Sequence, residues 1–245
     1  MSLLHLQYFS QALSKQSALY ATVPDGEGPF PVVYLLHGLS DDYTIWQRRT
    51  SIERYAEDAG VMVVMLDGAR SFYCDMKGSP GNYEQHILES VRVIDRLLPT
   101  IPTAQGRAIG GLSMGGYGCM KLGLKYPELF GSVAAHSGAL DANAMLGNRD
   151  FTEIHAVFGD VLDPADDCFA LAARPGPKPA LYFDCGVEDF LLAHNRDFHA
   201  HLQRLQIAHT YHEFPGSHNW EYWDLHIREA LAFHCVHFNA REGRV

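Results

Sequence analysis

The stretch "RAIGGLSMGGYGCMKLGLKYPELF", residues 107–130, joins a short apolar run to a segment of helical period through a turn rich in glycine. At its centre Gly111, Ser113 and Gly115 form the pattern G-x-S-x-G, placed between a predicted strand and a predicted helix. A turn this sharp strains the backbone at its central residue, and the flanking glycines remove Cβ atoms that would collide with strand and helix. The pattern predicts a strand–turn–helix unit that holds Ser113 out over the edge of a sheet.

The same turn has a simpler interpretation, in which the glycines only shape the bend and Ser113 caps the following helix. The motif alone does not separate the two interpretations, because such matches also occur by chance. A serine hydroxyl is too weakly acidic to attack an ester unaided. The nucleophile interpretation therefore predicts a base and an acid further along the chain.

On both sides of residues 107–130, apolar runs alternate with segments of helical period. Residues 4–10 and 17–23 alternate in hydrophobicity and predict an antiparallel pair of strands. Residues 42–59 have the spacing of one helix, with Gly60 as its stop. From Phe30 onward the alternation of strand and helix predicts an α/β fold, with a mostly parallel sheet of eight strands and helices on both faces.

The chain shows no Gly/Ser or Pro-rich linker, so we expect a single domain over residues 1–245. Residues 141–179 interrupt the alternation, since they contain "DVLDPADD" and "ARPGPKP" and no clean period. We expect this segment to be an excursion that lies over the site like a small cap.

Ligands of such sheets bind where the strands end, so the residues after each strand are the candidates for catalysis. Asp189 follows the predicted strand "ALYFDCG", and His218 follows "HTYHEFPG". The order serine, acid, histidine is that of the α/β-hydrolases. The sequence thus predicts a triad of Ser113, Asp189 and His218.

Other residues compete for these roles. Asp184 is a rival acid, but it lies inside the strand, where a structural hydrogen bond is the better interpretation, and Glu188 is a weaker rival. His212 is the histidine nearest to His218 in an alternating strand, where we expect it to point into the packing of the sheet.

A serine hydrolase also needs two backbone N–H groups for the oxyanion. One donor normally belongs to the residue after the nucleophile, here Met114, and the other to the loop after the third strand, which indicates Leu39. His37 precedes this loop and is expected to brace it by hydrogen bonds rather than to transfer protons.

Three aromatic residues near these loops are candidates for the wall of a substrate pocket, although each also fits a place in the core. They are Tyr73, Phe190 and Trp220.

The amino-acid composition excludes some classes of binding partner. The net charge is −10 with scattered basic residues, so neither nucleic acid nor an anionic membrane is an expected partner. No secretory signal or membrane-length apolar run is present, which predicts a cytoplasmic protein; a homo-oligomer is left open. The five cysteines lack a C-x-x-C pair and are expected to be reduced thiols. Histidine pairs in the predicted helices favour solvated or packed faces over metal ligands, and the triad chemistry needs neither metal nor cofactor.

Several segments together resemble a known family. The segments "LLHGLSDDYTIW", "SFYCDM", "GGLSMGGYGCMKLGLKYPELF", "CGVEDFL" and "GSHNWEYW" resemble the esterase D group of α/β-hydrolases, and most of all its short bacterial tributyrin or acetyl esterases. The group includes S-formylglutathione hydrolases, mycolyltransferases, and feruloyl and acetyl xylan esterases. The resemblance implies Ser113 as nucleophile, Asp189 as acid, His218 as base, and the N–H groups of Leu39 and Met114 as the oxyanion hole. The chain is shorter than the formylglutathione hydrolases usually are.

The sequence therefore predicts a serine carboxylesterase that hydrolyses short-chain acyl esters, such as acetyl or butyryl esters, or small aryl esters, through an acyl-enzyme. Its partner would be a small-molecule ester. Two alternatives are a thioesterase or acyltransferase of the S-formylglutathione hydrolase type, and a non-catalytic binding protein on a hydrolase scaffold.

Overall fold

A computed structural model describes residues 1–148, 150–151 and 153–239. The strands are β1 (Ser2–Ser10), β2 (Lys15–Val23), β3 (Val32–Leu36), β4 (Met62–Leu66), β5 (Arg107–Leu112), β6 (Ser132–His136), β7 (Ala180–Gly186) and β8 (Thr210–Phe214). The helices are α1 (Ile45–Arg49), α2 (Ile52–Ala59), α3 (Tyr83–Leu97), α4 (Met114–Lys125), α5 (Ala142–Gly147), α6 (Ile154–Phe158), α7 (Cys168–Ala173), α8 (Leu192–Arg204) and α9 (Trp220–Asn239).

The described strands form one eight-stranded sheet in the order β1-β2-β4-β3-β5-β6-β7-β8. The predicted antiparallel pair is confirmed as β1 and β2, and β2 also runs antiparallel to β4. All the other neighbours are parallel, so the sheet is mixed but mostly parallel, as predicted. The carboxyl ends of β5, β7 and β8 therefore lie at the same edge of the sheet.

The side chains of the central strands alternate between two layers of core. Tyr34 and Leu36 of β3 pack in one layer with apolar residues of α3, α4 and α8. Val33 and Leu35 pack in the other layer with residues of α1, α2 and α9. Because every residue of β3 is buried, the strand has the continuous apolar sequence that a sheet covered on both faces requires.

The prediction of one helix over residues 42–59 is wrong, because the chain breaks it into α1 and α2. Thr50 adopts an extended conformation between them, and its Oγ1 accepts from the N–H of Ile52 at 3.2 Å. The N–H of Ser51 donates to the carboxylate of Asp224 on α9 at 3.0 Å. The break is therefore fixed by a distant residue that local periodicity does not show. Gly60 ends α2 with a φ of 66°, as expected of a C-terminal glycine.

The segment 141–179, predicted to be irregular, contains the three short helices α5, α6 and α7. Each has five or six residues, too few for a helical period to be visible in the sequence. Apolar side chains anchor the segment to the core, among them Ile154, Phe158 and Leu171. Positions 149 and 152 of the segment lie outside the described residues.

A buried ammonium group ties this segment to the helices of the core. Lys121 of α4 is fully buried, and its Nζ donates to Glu84 Oε2 at 2.7 Å and to the backbone oxygen of Tyr73 at 2.8 Å. It also lies 3.4 Å from Oδ1 of Asp166, in the segment before α7. Burial alone would raise the pKa of Glu84, but the Lys121 ammonium and two further donors to this carboxylate together outweigh burial and lower this pKa to about 2.

The five cysteines are free thiols, and four of them are buried. Within the described ranges, no helix is long and apolar enough to cross a membrane.

Candidate active site

Ser113 lies at the turn between β5 and α4 in a strained conformation, with φ 53° and ψ −115°. It occupies the N-cap position of α4, but its side chain makes no capping hydrogen bond. The hydroxyl is instead 3.0 Å from Nε2 of His218. The simpler interpretation of Ser113 as a helix cap therefore does not describe this turn, whose backbone directs the hydroxyl away from the helix.

The glycines of the turn allow the backbones of β3, β5 and α4 to approach each other closely. A Cβ atom on Gly115 would lie 2.5 Å from the carbonyl oxygen of Leu36 and 2.6 Å from that of His37. A Cβ on Gly111 would lie 2.5 Å from the carbonyl oxygen of Gly115. Real Cβ atoms do not approach backbone oxygens this closely, so any larger residue would displace the turn that carries Ser113.

The structure brings Ser113, His218 and Asp189 into one hydrogen-bonded chain. Nδ1 of His218 lies 2.8 Å from Oδ2 and 3.0 Å from Oδ1 of Asp189, while Nε2 faces the serine. Because Asp189 accepts on the Nδ1 side, Nδ1 carries the proton and Nε2 is free to accept one from the serine hydroxyl.

Asp189 is buried, and its carboxylate also accepts from the N–H of Leu191 at 2.8 Å. Burial alone would raise its pKa, but the hydrogen bonds from His218 and Leu191 outweigh burial and lower this pKa below the ordinary value. The loops after β7 and β8 are tied together by the N–H of Glu188, which donates to the carbonyl oxygen of Gly216 at 3.0 Å. Acid and histidine are thus held on two connected loops.

The competing residues lie elsewhere. Asp184 is fully buried and accepts from Nδ1 of His136 at 2.7 Å and from the hydroxyl of Tyr222 at 2.8 Å, a structural role as expected. Glu188 is exposed. The expectation that His212 points into the packing is wrong: β8 is an edge strand, and His212 is exposed.

The loop that follows β3 is braced by the ring of His37, which is buried. Its Nδ1–H donates to the carbonyl oxygen of Gly38 at 2.8 Å, and its Nε2 accepts from the N–H of Gly68 at 2.9 Å. The carbonyl oxygen of His37 accepts from the hydroxyl of Tyr73 at 2.9 Å. With both ring nitrogens engaged in this way, His37 fixes the loop and is not available to transfer protons at Ser113.

The two predicted oxyanion donors lie beside the serine. Leu39 and Met114 line the same cavity as Ser113. Met114 is the first residue of α4, so its N–H has no acceptor within the helix. Within the described residues, no hydrogen bond is seen from the N–H of Leu39. Both groups are therefore available to an oxygen bound at this point.

Two cavities of different character meet at Ser113. The first has a volume of about 260 Å³ and mostly apolar walls. The second has a volume of about 390 Å³ and mostly polar walls that include His218. The first is lined by Leu39, Phe72, Ser113, Met114, Ala139, Ala144, Met145, Asn148, Phe151, Phe190, Leu191 and His194. The second is lined by Gly38, Leu39, Ser40, Asp41, Arg49, Leu112, Ser113, His218, Asn219, Trp220, Glu221 and Trp223.

The three predicted pocket aromatics have different positions. Phe190 is 74% exposed on the wall of the apolar cavity, with its ring centroid 4.5 Å from that of His218. Trp220 lines the polar cavity. The prediction that Tyr73 walls the pocket is wrong, because Tyr73 is fully buried beneath the loop of His37, and its neighbour Phe72 lines the cavity instead.

The sequence interpretation missed several wall residues. Ala144, Met145, Asn148 and Phe151 come from the segment predicted to lie over the site, but nothing in that segment showed which side chains face the cavity. His194 of α8 also lines the cavity, and burial lowers its pKa. The position of His194 depends on where α8 begins, because α8 starts beside Asp189 and places His194 one turn after Leu191. No cluster of three metal-ligating side chains is found within the described ranges.

The model of the Esterase family matches residues 10–234. The chain belongs to the Esterase family. Among curated proteins, this esterase is similar to the acetyl esterase of Caldicellulosiruptor saccharolyticus, with 30% identity over 259 residues that cover 94% of this chain and 97% of that protein. The resemblance to the esterase D group drawn from the sequence is thereby confirmed.

Two solved structures from Staphylococcus aureus are similar over nearly the whole chain. The fluorophosphonate-binding serine hydrolase F, FphF, has a TM-score of 0.89 at 29% identity, with 96% of this chain and 98% of that chain covered. The S-formylglutathione hydrolase FrmB has a TM-score of 0.86 at 29% identity, with the same coverage. The predicted α/β-hydrolase fold is confirmed, and this esterase is a serine hydrolase of carboxylic esters.

Proposed function

We propose that the esterase hydrolyses short-chain acyl or small aryl esters, with Ser113 as nucleophile, His218 as general base and Asp189 as the acid that orients the base. The observation that carries this proposal is the continuous hydrogen-bonded chain from Ser113 Oγ through His218 to Asp189, at a strained turn that opens into two cavities. Strained backbone of this kind persists where the surrounding structure enforces it, which is common at catalytic positions.

In the first step, Ser113 Oγ attacks the acyl carbon while Nε2 of His218 takes its proton, and the ionised Asp189 stabilises the resulting imidazolium. The negative charge that develops on the carbonyl oxygen is held by the N–H groups of Leu39 and Met114. Each such donor contributes on the order of 3 kcal/mol to stabilising the transition state.

In the second step, His218 returns the proton to the leaving oxygen, and the alcohol departs. Water then attacks the acyl-enzyme by the same route and releases the acid, which restores the Ser113 hydroxyl.

The two cavities receive different parts of the substrate. The leaving group must lie beside His218, which protonates it, and His218 lines the polar cavity but not the apolar one. The alcohol therefore occupies the polar cavity and the acyl group the apolar cavity. At about 260 Å³, the apolar cavity is smaller than the pockets of about 300–1,000 Å³ that hold drug-sized ligands, which supports a small acyl group. The acetyl esterase relative supports the same size of acyl group.

A thioesterase of the S-formylglutathione hydrolase type is a second candidate. Arg49 lines the polar cavity, is exposed, and makes no ion pair with any described residue. The positive charge of an unpaired guanidinium at this position would attract a leaving thiol whose other groups carry negative charge. The structural similarity to the S-formylglutathione hydrolase FrmB favours the same candidate.

Ser113→Ala tests the proposal, with p-nitrophenyl acetate, p-nitrophenyl butyrate and S-formylglutathione as substrates. We expect turnover of every substrate to fall by at least about 10⁴-fold, because the acyl-enzyme no longer forms. Ser14→Ala is the matched control: Ser14 has the same φ of 53° but lies in the exposed turn between β1 and β2. Undiminished turnover in Ser113→Ala would exclude the proposed nucleophile. Preference for S-formylglutathione over both esters would select the thioesterase.

A fluorophosphonate probe tests the non-catalytic alternative. We expect the wild-type chain to be labelled at Ser113 and the Ser113→Ala variant to remain unlabelled. A wild-type chain that binds esters but is neither labelled nor active would be a binding protein on a hydrolase scaffold.

A further inference from the structure

His194 lies in the first turn of α8, on the wall of the apolar cavity at Ser113. Its Nδ1 is buried, and no hydrogen bond or ion pair joins the imidazole to any other residue that the structure describes. A buried nitrogen without a partner is unfavourable and rare, because it has given up hydration for nothing in return. The wall of the cavity therefore contains a polar group that the described chain itself does not satisfy.

The turn that carries His194 is held against the loop that follows β6. The next residue, Asn195, is fully buried, and its Nδ2 donates to the carbonyl oxygen of Gly138 at 3.0 Å. In the same loop the N–H of Ala139 donates to the carbonyl oxygen of Ser113 at 3.1 Å. The start of α8 is thus connected through one loop to the backbone of the proposed nucleophile, so the position of His194 on the wall is fixed relative to Ser113.

A second polar side chain, that of Asn148, lines the same cavity from the segment 141–179. Its Oδ1 accepts from the N–H of Asp150 at 3.1 Å, whereas its Nδ2 makes no hydrogen bond with a described residue. Apart from Ser113, the described lining residues include no polar side chain other than Asn148 and His194. A few polar groups in a mostly apolar pocket determine which ligand it accepts and in what orientation.

Both of these polar groups are uncharged at neutral pH. Burial lowers the pKa of His194, so its imidazole is neutral and has one N–H donor and one acceptor nitrogen. A hydroxyl group both donates and accepts, and it therefore matches a neutral imidazole beside an amide N–H. A carboxylate would be buried without a positive charge, because no lysine or arginine is among the described lining residues.

We propose that the apolar cavity selects acyl groups that carry a hydroxyl, and that His194, assisted by Asn148, is the specificity-determining residue that binds this hydroxyl. The inference rests on the ester hydrolysis proposed above, with the acyl group in this cavity. Esters of short hydroxy acids, such as lactate and 3-hydroxybutyrate, are the substrate class, and their size suits a cavity of about 260 Å³. A hydrocarbon chain of the same shape is disfavoured, because it leaves the imidazole unpaired.

Two pairs of ethyl esters test the proposal, since within each pair a methyl group replaces the hydroxyl. Ethyl lactate is paired with ethyl 2-methylpropanoate, and ethyl 3-hydroxybutyrate with ethyl 3-methylbutanoate, both enantiomers of each hydroxy ester being used. Titration of the released acid gives the ratio of kcat/KM for the hydroxy ester to that for its methyl partner. Comparing the ratio between variant and wild type cancels the intrinsic reactivity of the esters.

In His194→Phe, which keeps a ring and removes both nitrogens, we expect the ratio to fall about tenfold for the pair whose hydroxyl reaches the ring, the size of one hydrogen bond. His194→Gln retains a donor and an acceptor, and it should keep this ratio within about threefold of the wild type. Asn148→Ala should lower the ratio by a smaller factor than His194→Phe.

His199→Phe is the matched control, because it makes the same substitution on the same helix. His199 does not line the cavity, and its Nδ1 lies 2.8 Å from Nε2 of His209. We expect His199→Phe to leave both ratios at their wild-type values, whatever its effect on the melting temperature.

Unchanged ratios in His194→Phe would overturn the proposal. Equal losses for both members of each pair would also overturn it, since they would show a structural role for the ring. If His194→Phe does not fold, unchanged ratios in Asn148→Ala, at an exposed position, would count against the proposal. A wild-type preference for monoethyl succinate over all four esters would show an anionic acyl group instead. Failure of the proposed function would be seen separately, as turnover of ethyl 3-methylbutanoate retained in Ser113→Ala.

Discussion

Gly38 allows the loop that carries the proposed oxyanion donor Leu39 to come close to Ser113. A Cβ atom on Gly38 would lie 2.6 Å from Cδ1 of Leu112 and 3.7 Å from Cβ of Ser113. The first of these distances is far below van der Waals contact, so either the Leu112 side chain or the loop must shift if a methyl group is added at Gly38.

We expect Gly38→Ala to lower kcat by about 100-fold, because a displacement of about 1 Å in an oxyanion donor has a cost of this order. The melting temperature should fall as well, since Gly38 and the Leu112 side chain that it meets are both buried. Steady-state kinetics with p-nitrophenyl acetate and a thermal melt measure both effects. Gly147→Ala is the control, because no atom lies within 4 Å of a Cβ added there, and it should retain wild-type kcat. Wild-type kcat in Gly38→Ala would contradict the proposed role of the loop.

At the scale of single residues, the sequence predicted the residues of the triad better than the residues that line the two cavities. Ser113, Asp189 and His218 each follow a strand, and parallel strands end at a common edge, so their juxtaposition follows from topology. Tyr73 was misplaced because a loop has no period that separates a wall residue from a core residue.

Among the elements, the network around Lys121 joins α3, α4 and the segment before α7, and it is sensitive to pH. The pKa of Glu84 is about 2 in the folded chain, below the ordinary value of 4.5. Its contribution to the free energy of unfolding is complete above about pH 4.5 and is lost as the pH falls towards 2. The shift corresponds to about 3 kcal/mol.

We expect Glu84→Gln to lower the free energy of unfolding by roughly 3 kcal/mol at pH 7, because the buried Lys121 loses its nearest carboxylate. The difference between wild type and variant should shrink between pH 4.5 and pH 2, where the wild-type carboxylate becomes protonated. Urea unfolding at a series of pH values measures this difference. Glu128→Gln, at an exposed position, should show no such trend. A constant difference across the pH range would contradict the role of Glu84.

The elements that were predicted correctly are those long enough to show a period. The apolar repeat of Ile87, Val91 and Ile94 predicted α3. The buried strands were predicted from continuous apolar runs in the sequence, such as that of β3. The break between α1 and α2 and the helices α5 to α7 were not predictable, since tertiary contacts and short length hide them from periodicity.

Considered as a whole, the molecule forms its apolar cavity, the proposed acyl site, from two parts, the sheet edge and the segment 141–179. We expect Met145→Trp to fill this cavity and to lower kcat/KM for p-nitrophenyl butyrate about tenfold more than for p-nitrophenyl acetate. The butyryl group is longer by two methylenes, and a difference of this size in an apolar pocket changes kcat/KM by about this factor. Val161→Trp, at an 81% exposed position of the same segment, is the control and should leave the ratio unchanged. Equal losses for both esters in Met145→Trp would show that the acyl chain lies elsewhere.

The overall architecture was predictable because the alternation of strand and helix constrains topology. The shape of the two cavities was not, because it depends on side chains from segments far apart in sequence, such as Phe72, Met145 and Phe190. The prediction of a single domain over residues 1–245 remains a prediction.

The hydrogen-bonded chain at Ser113 has a consequence for biosynthesis. It joins residues 105 positions apart, and His218 follows the last strand of the sheet. A nascent chain that ends before β8 lacks the proposed base His218, so we expect no ester turnover before synthesis has passed β8. Parallel pairings between distant segments form slowly. Ester turnover is thus a reporter of completed folding, and we expect it to disappear on local opening of β7 and β8 while most helices remain intact.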